Sequence, residues 1–516
     1  MTSRLTLEDL VAIRHQSQPL TGTIAPTTCS EMFKSKGNAK KAKAKDFSHR
    51  LTLESRLREP ATLKAARAEL TAGVMSLATG RPSPEYYPVT NVSFGFAQTK
   101  ICSGLTPGVM TATRAAEGIQ GPDASAELPV AMSYGYSQGS EINVRFLTEH
   151  VELVHSPPYS NWEVCLNTGS TSAIEHVLRM FCSRGDYILT EEYTYSGALE
   201  AMKPLGLHAS TIKMDNEGMS ADELEMTLAS WDSNERGAPK PFVLYTIPTG
   251  QNPTGVTQTS QRRKEIYAVA ERHDLLIIED DPYYYLHYPS NTQKHQVSGE
   301  DSAHNMYLHS LLPSYLSMDV SGRVMRLDST SKIIAPGLRC SWMTANSDII
   351  AKILSHHDVG VVCPSGPSQL MMGTLLEHTW GHKGFTGWLM YLRDEYAHRC
   401  QTLVQACEKH LPGDICSWQS PEAGMFLWIK IDWRKHALGL VGDGEPSAQD
   451  FHAIEDSIYK TALRKGTLVC KGSAFHGSNA PSREMFLRVT FATASLEDLG
   501  MAINRLDEAI RQEFCL

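Results

Sequence analysis

The sequence contains no apolar run near the roughly 18 residues that a membrane-spanning helix needs, and this excludes an integral helical membrane protein. Its eleven cysteines include no Cys-x-x-Cys pair, which argues against a disulfide framework or a zinc knuckle and for free thiols in a reducing cytoplasm. Neither sign of charge dominates. A formal charge of −9 over 516 residues gives no global field for nucleic acid or an anionic membrane, so neither is an expected partner. Glu8 and Asp9 stand near the N-terminus where a secretory signal would need an apolar core, so none is expected. No internal repeat is visible. Residues 1–45 are too short and irregular for an upstream helix-turn-helix module, which weighs against a cofactor-sensing regulator.

What is present is enough chain for two or three domains and ample apolar material for a large core. Residues 1–45, interrupted by Pro19 and Pro26 and carrying Lys34, Lys36, Lys40, Lys41, Lys43 and Lys45, read as a mobile basic arm with a solvated face. From about residue 160, short apolar runs alternate with amphipathic stretches, the pattern of a mainly parallel sheet covered by helices. Strands are predicted at Trp162–Leu166, Tyr187–Thr190, Phe242–Ile247, Leu275–Glu279 and Val324–Leu327. Residues 289–322 read as a polar, turn-rich insertion and 383–407 as a long helix. Strands at Met425–Ile431 and Met485–Phe491 follow, then a helix that starts at Ser495 with Asp498 in the capping-box position. The expected fold class is therefore α/β, a large sheet domain at 111–375 and a smaller α+β domain at 376–516. Residues 46–110 would pack against the small domain and a partner subunit.

In open α/β sheets, ligands bind beyond the carboxyl ends of the strands. Five strand ends here finish in residues with chemical use. The first leads to Gly169, Ser170 and Thr171 at a helix N-terminus, a ready phosphate seat. The second leads to Tyr195, the third to Asn252, the fourth to Asp281 and Tyr284, and the fifth to Ser329, Lys332 and Arg339. Alone, each signal is weak. A Ser-x-x-Lys match is mostly accidental, Asp280–Asp281 resembles a helix cap or metal pair, and Asn252 alone is a turn residue. Together they fit one ligand with a phosphate, a flat ring, a ring nitrogen, a phenolic oxygen and an aldehyde, which is pyridoxal 5'-phosphate. Lysine is the ordinary side chain that condenses with an aldehyde.

These residues, with Ser76–Pro84 (SLATGRPSP), Asn252–Gly255 (NPTG), Ile277–Leu286 (IIEDDPYYYL), Leu312–Leu338 and Glu422–Ile429 (EAGMFLWI), carry a family resemblance. The chain resembles the fold-type I aminotransferases of class I/II, most closely the fungal aromatic and the kynurenine/α-aminoadipate enzymes. The resemblance implies that Lys332 is the Schiff-base lysine and proton-transfer base. It implies that Asp281 pairs with the pyridine nitrogen, that Asn252 and Tyr284 bind the phenolic oxygen, and that Tyr195 stacks on the ring. Ser170, Thr171, Ser329 and Arg339 would hold the phosphate, joined by Tyr134 from the neighbouring subunit of a homodimer. Arg488 would grip the substrate carboxylate, and Gly80 would line the substrate side. The implied activity moves an amino group from an L-amino acid, aromatic by resemblance, to a 2-oxo acid by a ping-pong mechanism, with a role in secondary metabolism open. A carbon–sulfur lyase or a cyclase on the same scaffold is the nearest alternative. Arg81 and Lys471 stand where relatives usually carry small or apolar residues, so side-chain specificity stays open.

Overall fold

A computed structural model describes residues 5–22, 25–60, 82–83, 86–89, 91–95, 109–113, 128–288, 300–436, 448–478 and 484–516. The chain divides into two compact units. The first comprises Met1–Arg184, Leu276–Pro282 and Gln296–Met390; the second comprises Gly185–Leu275, Tyr283–His295 and Tyr391–Leu516. The principal strands in chain order are β1 (Trp162–Asn167), β2 (Tyr187–Glu191), β3 (His208–Ile212), β4 (Val243–Thr246), β5 (Leu276–Asp280), β6 (Val324–Ser329), β7 (Ser341–Asn346), β8 (Cys416–Ser417), β9 (Phe426–Ile431), β10 (Cys470–Lys471) and β11 (Met485–Thr490).

In the first unit the strand order is β1-β7-β6-β5. Strands β5 and β6 are parallel, with Val324 opposite Ile277, and β7 runs antiparallel to both β6 and β1. Strands β1, β5 and β6 therefore point the same way, and their carboxyl ends share one edge. Every residue of β5, β6 and β7 is buried, as expected of strands covered on both faces. The helix Ser170–Phe181 buries Ala173, Ile174, Val177, Leu178 and Phe181, the stripe its spacing predicts.

The N-terminal stretch departs from expectation: its described residues are folded. Thr6 and Asp9 form a capping box at the start of the helix Leu7–Gln16, whose Leu10 and Ile13 are buried. Arg14 reaches Glu149 at 2.5 Å and Glu377 at 2.7 Å. Lys34 donates to the Ser160 carbonyl at 3.0 Å and lies 4.6 Å from the Trp162 ring centroid. Lys41 donates to the Pro157 carbonyl at 2.7 Å, and burial holds its pKa below the usual lysine range. Lys36, Lys40, Lys43 and Lys45 are exposed, as read from the sequence. The anchoring partners lie more than a hundred residues away along the chain, so local composition gives no sign of them.

The stretch read as a turn-rich insertion also departs from expectation over its described part. It contains the helices Glu300–Ser310 and Tyr315–Met318, with Tyr307, Leu308, Leu311, Tyr315 and Leu316 buried. The second helix is held by Glu279 of β5, whose carboxylate accepts the backbone N–H of Tyr315 at 2.8 Å and of Leu316 at 3.1 Å.

In the second unit, β4, β2 and β3 are neighbours in that order and parallel. The long helix is present as Gly381–His410, and its residues from Tyr391 onward belong to this unit. A second sheet, order β8-β9-β11-β10, is antiparallel throughout. Its Leu427, Ile429, Ile431, Met485, Leu487 and Val489 pack with Ile454, Ile458, Leu499, Ile503, Leu506 and Ile510 of the helices Ala448–Arg464 and Leu496–Glu513. Ser495 caps the last helix by accepting the Asp498 N–H, as expected. Strand alternation places Phe426, Trp428, Phe486 and Arg488 on the other face.

Candidate active site

In the first unit, the chemistry sits at the shared carboxyl edge of β1, β5 and β6. Ser329 ends β6, and its hydroxyl accepts the Ser331 N–H at 3.1 Å and donates to Ser331 Oγ at 2.9 Å. Half-buried Lys332 follows in a turn that Thr330 pins by donating to the Cys340 carbonyl from both Oγ1, at 2.7 Å, and its N–H, at 3.1 Å. The same turn carries Arg339, in the left-handed region with φ 50°, whose guanidinium donates to the Pro336 carbonyl at 3.0 Å.

That guanidinium lies against Gly169, which precedes the helix Ser170–Phe181. Gly169 has φ 89°, and a Cβ added there would fall 2.1 Å from Arg339 Nη2. The Ser170 hydroxyl is buried and has no hydrogen-bond partner among the described residues. Thr171, the next residue of that first turn, is exposed. A helix N-terminus, an unsatisfied hydroxyl, an adjacent guanidinium and a bare backbone make a fitting cradle for a phosphate. Replacing Gly169 with alanine is expected to displace Arg339 and strain the backbone, weakening binding of a phosphorylated cofactor about ten-fold. Titration of the apoprotein would measure this, and an unchanged dissociation constant would remove Gly169 from the cradle.

Asp281 follows β5 and is 1% exposed. Its Oδ2 faces Arg326 Nη1 at 3.3 Å. Arg326 is wholly buried, reaches Glu279 at 3.0 Å, and makes a two-pronged contact with Asp328 at 2.8 and 2.9 Å. Desolvation pushes the Asp328 carboxyl up, while Arg326 opposes that shift.

The second unit holds the rest of the predicted set that is described, apart from Tyr134. Tyr195 caps the helix Ser196–Leu205, and its ring covers Gly197: a Cβ at Gly197 would fall 2.4 Å from Tyr195 Cζ. Asn252 lies in the loop after β4 and precedes a cis proline. Gln251 shapes that loop by donating from its side chain to the Tyr193 carbonyl at 2.6 Å and from its N–H to the Val256 carbonyl at 2.8 Å. Asn252 Oδ1 accepts from Arg488 Nη1 at 2.7 Å, which joins two predicted residues 236 positions apart. Tyr284 is buried, as are Tyr283 and Tyr285, with the Tyr284 and Tyr285 rings edge to face at 5.1 Å.

Arg488 is more elaborately held than the sequence indicates. Its guanidinium lies 4.3 Å from the Phe426 ring centroid and 4.5 Å from that of Phe475, and Nη2 donates to Cys470 Sγ at 3.3 Å. Arg326, Phe426, Phe475 and Cys470 were all missed. Arg326 had a readable signal, a charged residue in an apolar strand run with Asp328 on the same face two residues on. Lys471 pairs with Asp456 at 2.6 Å, and strand alternation turns it away from the side of β10 that carries Cys470. Tyr134 of the first unit is 59% exposed. Gly80 and Arg81 lie outside the described residues.

A lysine-bearing turn and a helix N-terminus fit for an anion share the carboxyl edge of an α/β sheet, an arrangement that suits a phosphorylated aldehyde. The family model for aminotransferase class I and II matches residues 133–506, and the chain belongs to that family. The aminotransferase swnA of Metarhizium robertsii is 41% identical over 93% of this chain and 94% of its own length. An aromatic amino acid aminotransferase of Schizosaccharomyces pombe is 36% identical over 92% of this chain and 99% of its own. The crystal structure of aminotransferase Aro8 from Candida albicans superposes with a TM-score of 0.81 at 34% identity, covering 92% of this chain and 100% of that one. The chain is thus a fold-type I, pyridoxal-phosphate-dependent aminotransferase. The cradle at Gly169, Ser170 and Arg339 fits the phosphate of that cofactor.

Proposed function

We propose that the enzyme transfers the amino group of an aromatic L-amino acid to a 2-oxo acid by a ping-pong mechanism. The observation that carries this reading is the setting of Arg488. A guanidinium held in plane by Asn252 and faced by two phenyl rings suits a planar α-carboxylate attached to an aromatic side chain. The name of the Schizosaccharomyces pombe relative supports the same substrate class.

In this reading Ser170, Thr171, Ser329 and Arg339 hold the cofactor phosphate, Asp281 pairs with the ring nitrogen, and Asn252 and Tyr284 bind the phenolic oxygen. Tyr195 covers the ring. When bound, pyridoxal phosphate supplies an electron sink for negative charge at the substrate Cα. Lys332 Nζ takes the Cα proton of the amino acid in the first half-reaction and gives a proton to Cα of the oxo acid in the second. Arg488 fixes the carboxylate and thereby the direction of the Cα–H bond, so part of the rate is geometric. Tyr134, an exposed tyrosine, reaches the phosphate of the neighbouring subunit in a homodimer. Gly80 lines the substrate side. A cytoplasmic location accords with eleven scattered cysteines that form no Cys-x-x-Cys pair.

A panel of amino acids tests the substrate. Aromatic amino acids are expected to bleach the bound-cofactor absorbance with kcat/KM about ten-fold or more above acidic and small ones. The absorbance should return only when a 2-oxo acid is added. Preference for acidic amino acids would overturn the aromatic reading, and turnover without any oxo acid would point instead to a lyase or cyclase.

A further inference from the structure

Arg488 sits in β11 with Cys470 of β10 directly opposite in the antiparallel register. Cross-strand neighbours of this kind project from the same face, so the backbone alone brings the thiol beside the guanidinium. The contact is Arg488 Nη2 to Cys470 Sγ at 3.3 Å, and Nη1 is taken on the other side by Asn252 Oδ1 at 2.7 Å. Phe426 and Phe475 cover the guanidinium, at 4.3 and 4.5 Å. Cys470 is itself packed against the cluster of Tyr193, Trp428 and Phe475, so the sulfur has little room to move.

These contacts divide the work. The rings resist tilting of the guanidinium plane, and among the described residues only the two hydrogen bonds resist its rotation within that plane. A carboxylate forms two parallel bonds to arginine only when that rotation is correct. An unanchored arginine would have to be ordered at each binding event, at a cost in affinity. We propose that Cys470 is a positioning residue for the substrate: its sulfur, paired with Asn252, sets the in-plane orientation of Arg488 toward the α-carboxylate. The inference rests on the reading of Arg488 as the carboxylate grip.

The test compares Cys470→Ala, Cys470→Ser and Arg488→Ala holoenzymes with the parent. Each is assayed with an aromatic amino acid and with the matching arylethylamine, which lacks the carboxylate. Cys470→Ala is expected to raise the amino-acid KM about five-fold with kcat within two-fold, and to leave the slow amine reaction and cofactor affinity unchanged. Cys470→Ser, whose hydroxyl also accepts a hydrogen bond, is expected to restore most of the loss. An unchanged KM in Cys470→Ala, an equal loss with amine and amino acid, or a serine variant as poor as the alanine one would each overturn the proposal. Arg488→Ala separates the two ideas. If it spares the amino-acid KM, the carboxylate-grip reading itself fails; if it raises KM while Cys470→Ala does not, only the role of Cys470 fails.

Discussion

The Lys332→Ala enzyme is expected to fold, to bind pyridoxal phosphate without covalent attachment, and to turn over at a rate indistinguishable from background. Loss of a positioned general base alone removes about 10²- to 10⁴-fold, and in the proposed reading the same amine also carries the covalent link to the cofactor. The structure gives reason to expect intact folding. Lys332 is half-buried in a turn whose closure depends on Thr330 and Cys340, so truncating the lysine side chain leaves the hydrogen bonds that shape the turn. Three measurements separate the outcomes: the melting temperature, the visible absorbance after cofactor is added, and the mass of the Lys332 peptide after borohydride treatment. Parent protein should show the adduct on that peptide. Turnover retained in the variant, or an adduct on another lysine in the parent, would move the role elsewhere.

Which features were legible follows from the range over which each is determined. Strands β1, β2, β4, β5 and β6 were predicted to within about two residues because burial on both faces leaves short apolar runs that end in polar turns. The Ser495 cap was readable because its signal is four residues long. The N-terminal helix Leu7–Gln16 was not, since Arg14 makes sense only once Glu149 and Glu377 lie beside it. The site divides in the same way. Lys332, Asp281 and Asn252 stand in stretches that carry the family resemblance, Arg488 in a predicted strand to which that resemblance gives a role, and Ser170 at a helix start that the apolar pattern marks. The cage around Arg488 depends on the pairing of β9, β10 and β11, which no single stretch of sequence specifies. Phe426 lay within a quoted motif, yet its contact with Arg488 arises from that pairing.

Arg326→Met is expected to cost more stability than any other single change considered for this protein. The guanidinium is shared among Asp328, Glu279 and Asp281 and is wholly buried. Methionine fills much of the volume but leaves three buried carboxylates without the cation they share, and breaking a buried pair in this way costs about 3–5 kcal/mol. Against a typical total of about 5–15 kcal/mol, that is a large fraction. The loss should depend on pH, with a sign fixed by Asp328. Its folded-state pKa already lies above the ordinary aspartate value because of desolvation, and Arg326 is what restrains it. Without Arg326 it rises further. A carboxyl whose folded pKa exceeds its unfolded pKa binds more protons in the native state, so stability falls as pH rises between the two values. The deficit of the variant, read from urea denaturation, should therefore be smallest in acid and largest near neutrality. Arg326→Met/Asp328→Asn, which removes the carboxylate holding two of the guanidinium bonds, should recover part of the stability and flatten the pH dependence. It should not recover tight cofactor binding, because Asp281 still lacks the N–H that orients its carboxylate. A pH-independent deficit would show that packing, not charge, governs the site. Full cofactor affinity in the doubly substituted protein would show that Asp281 holds its position without Arg326.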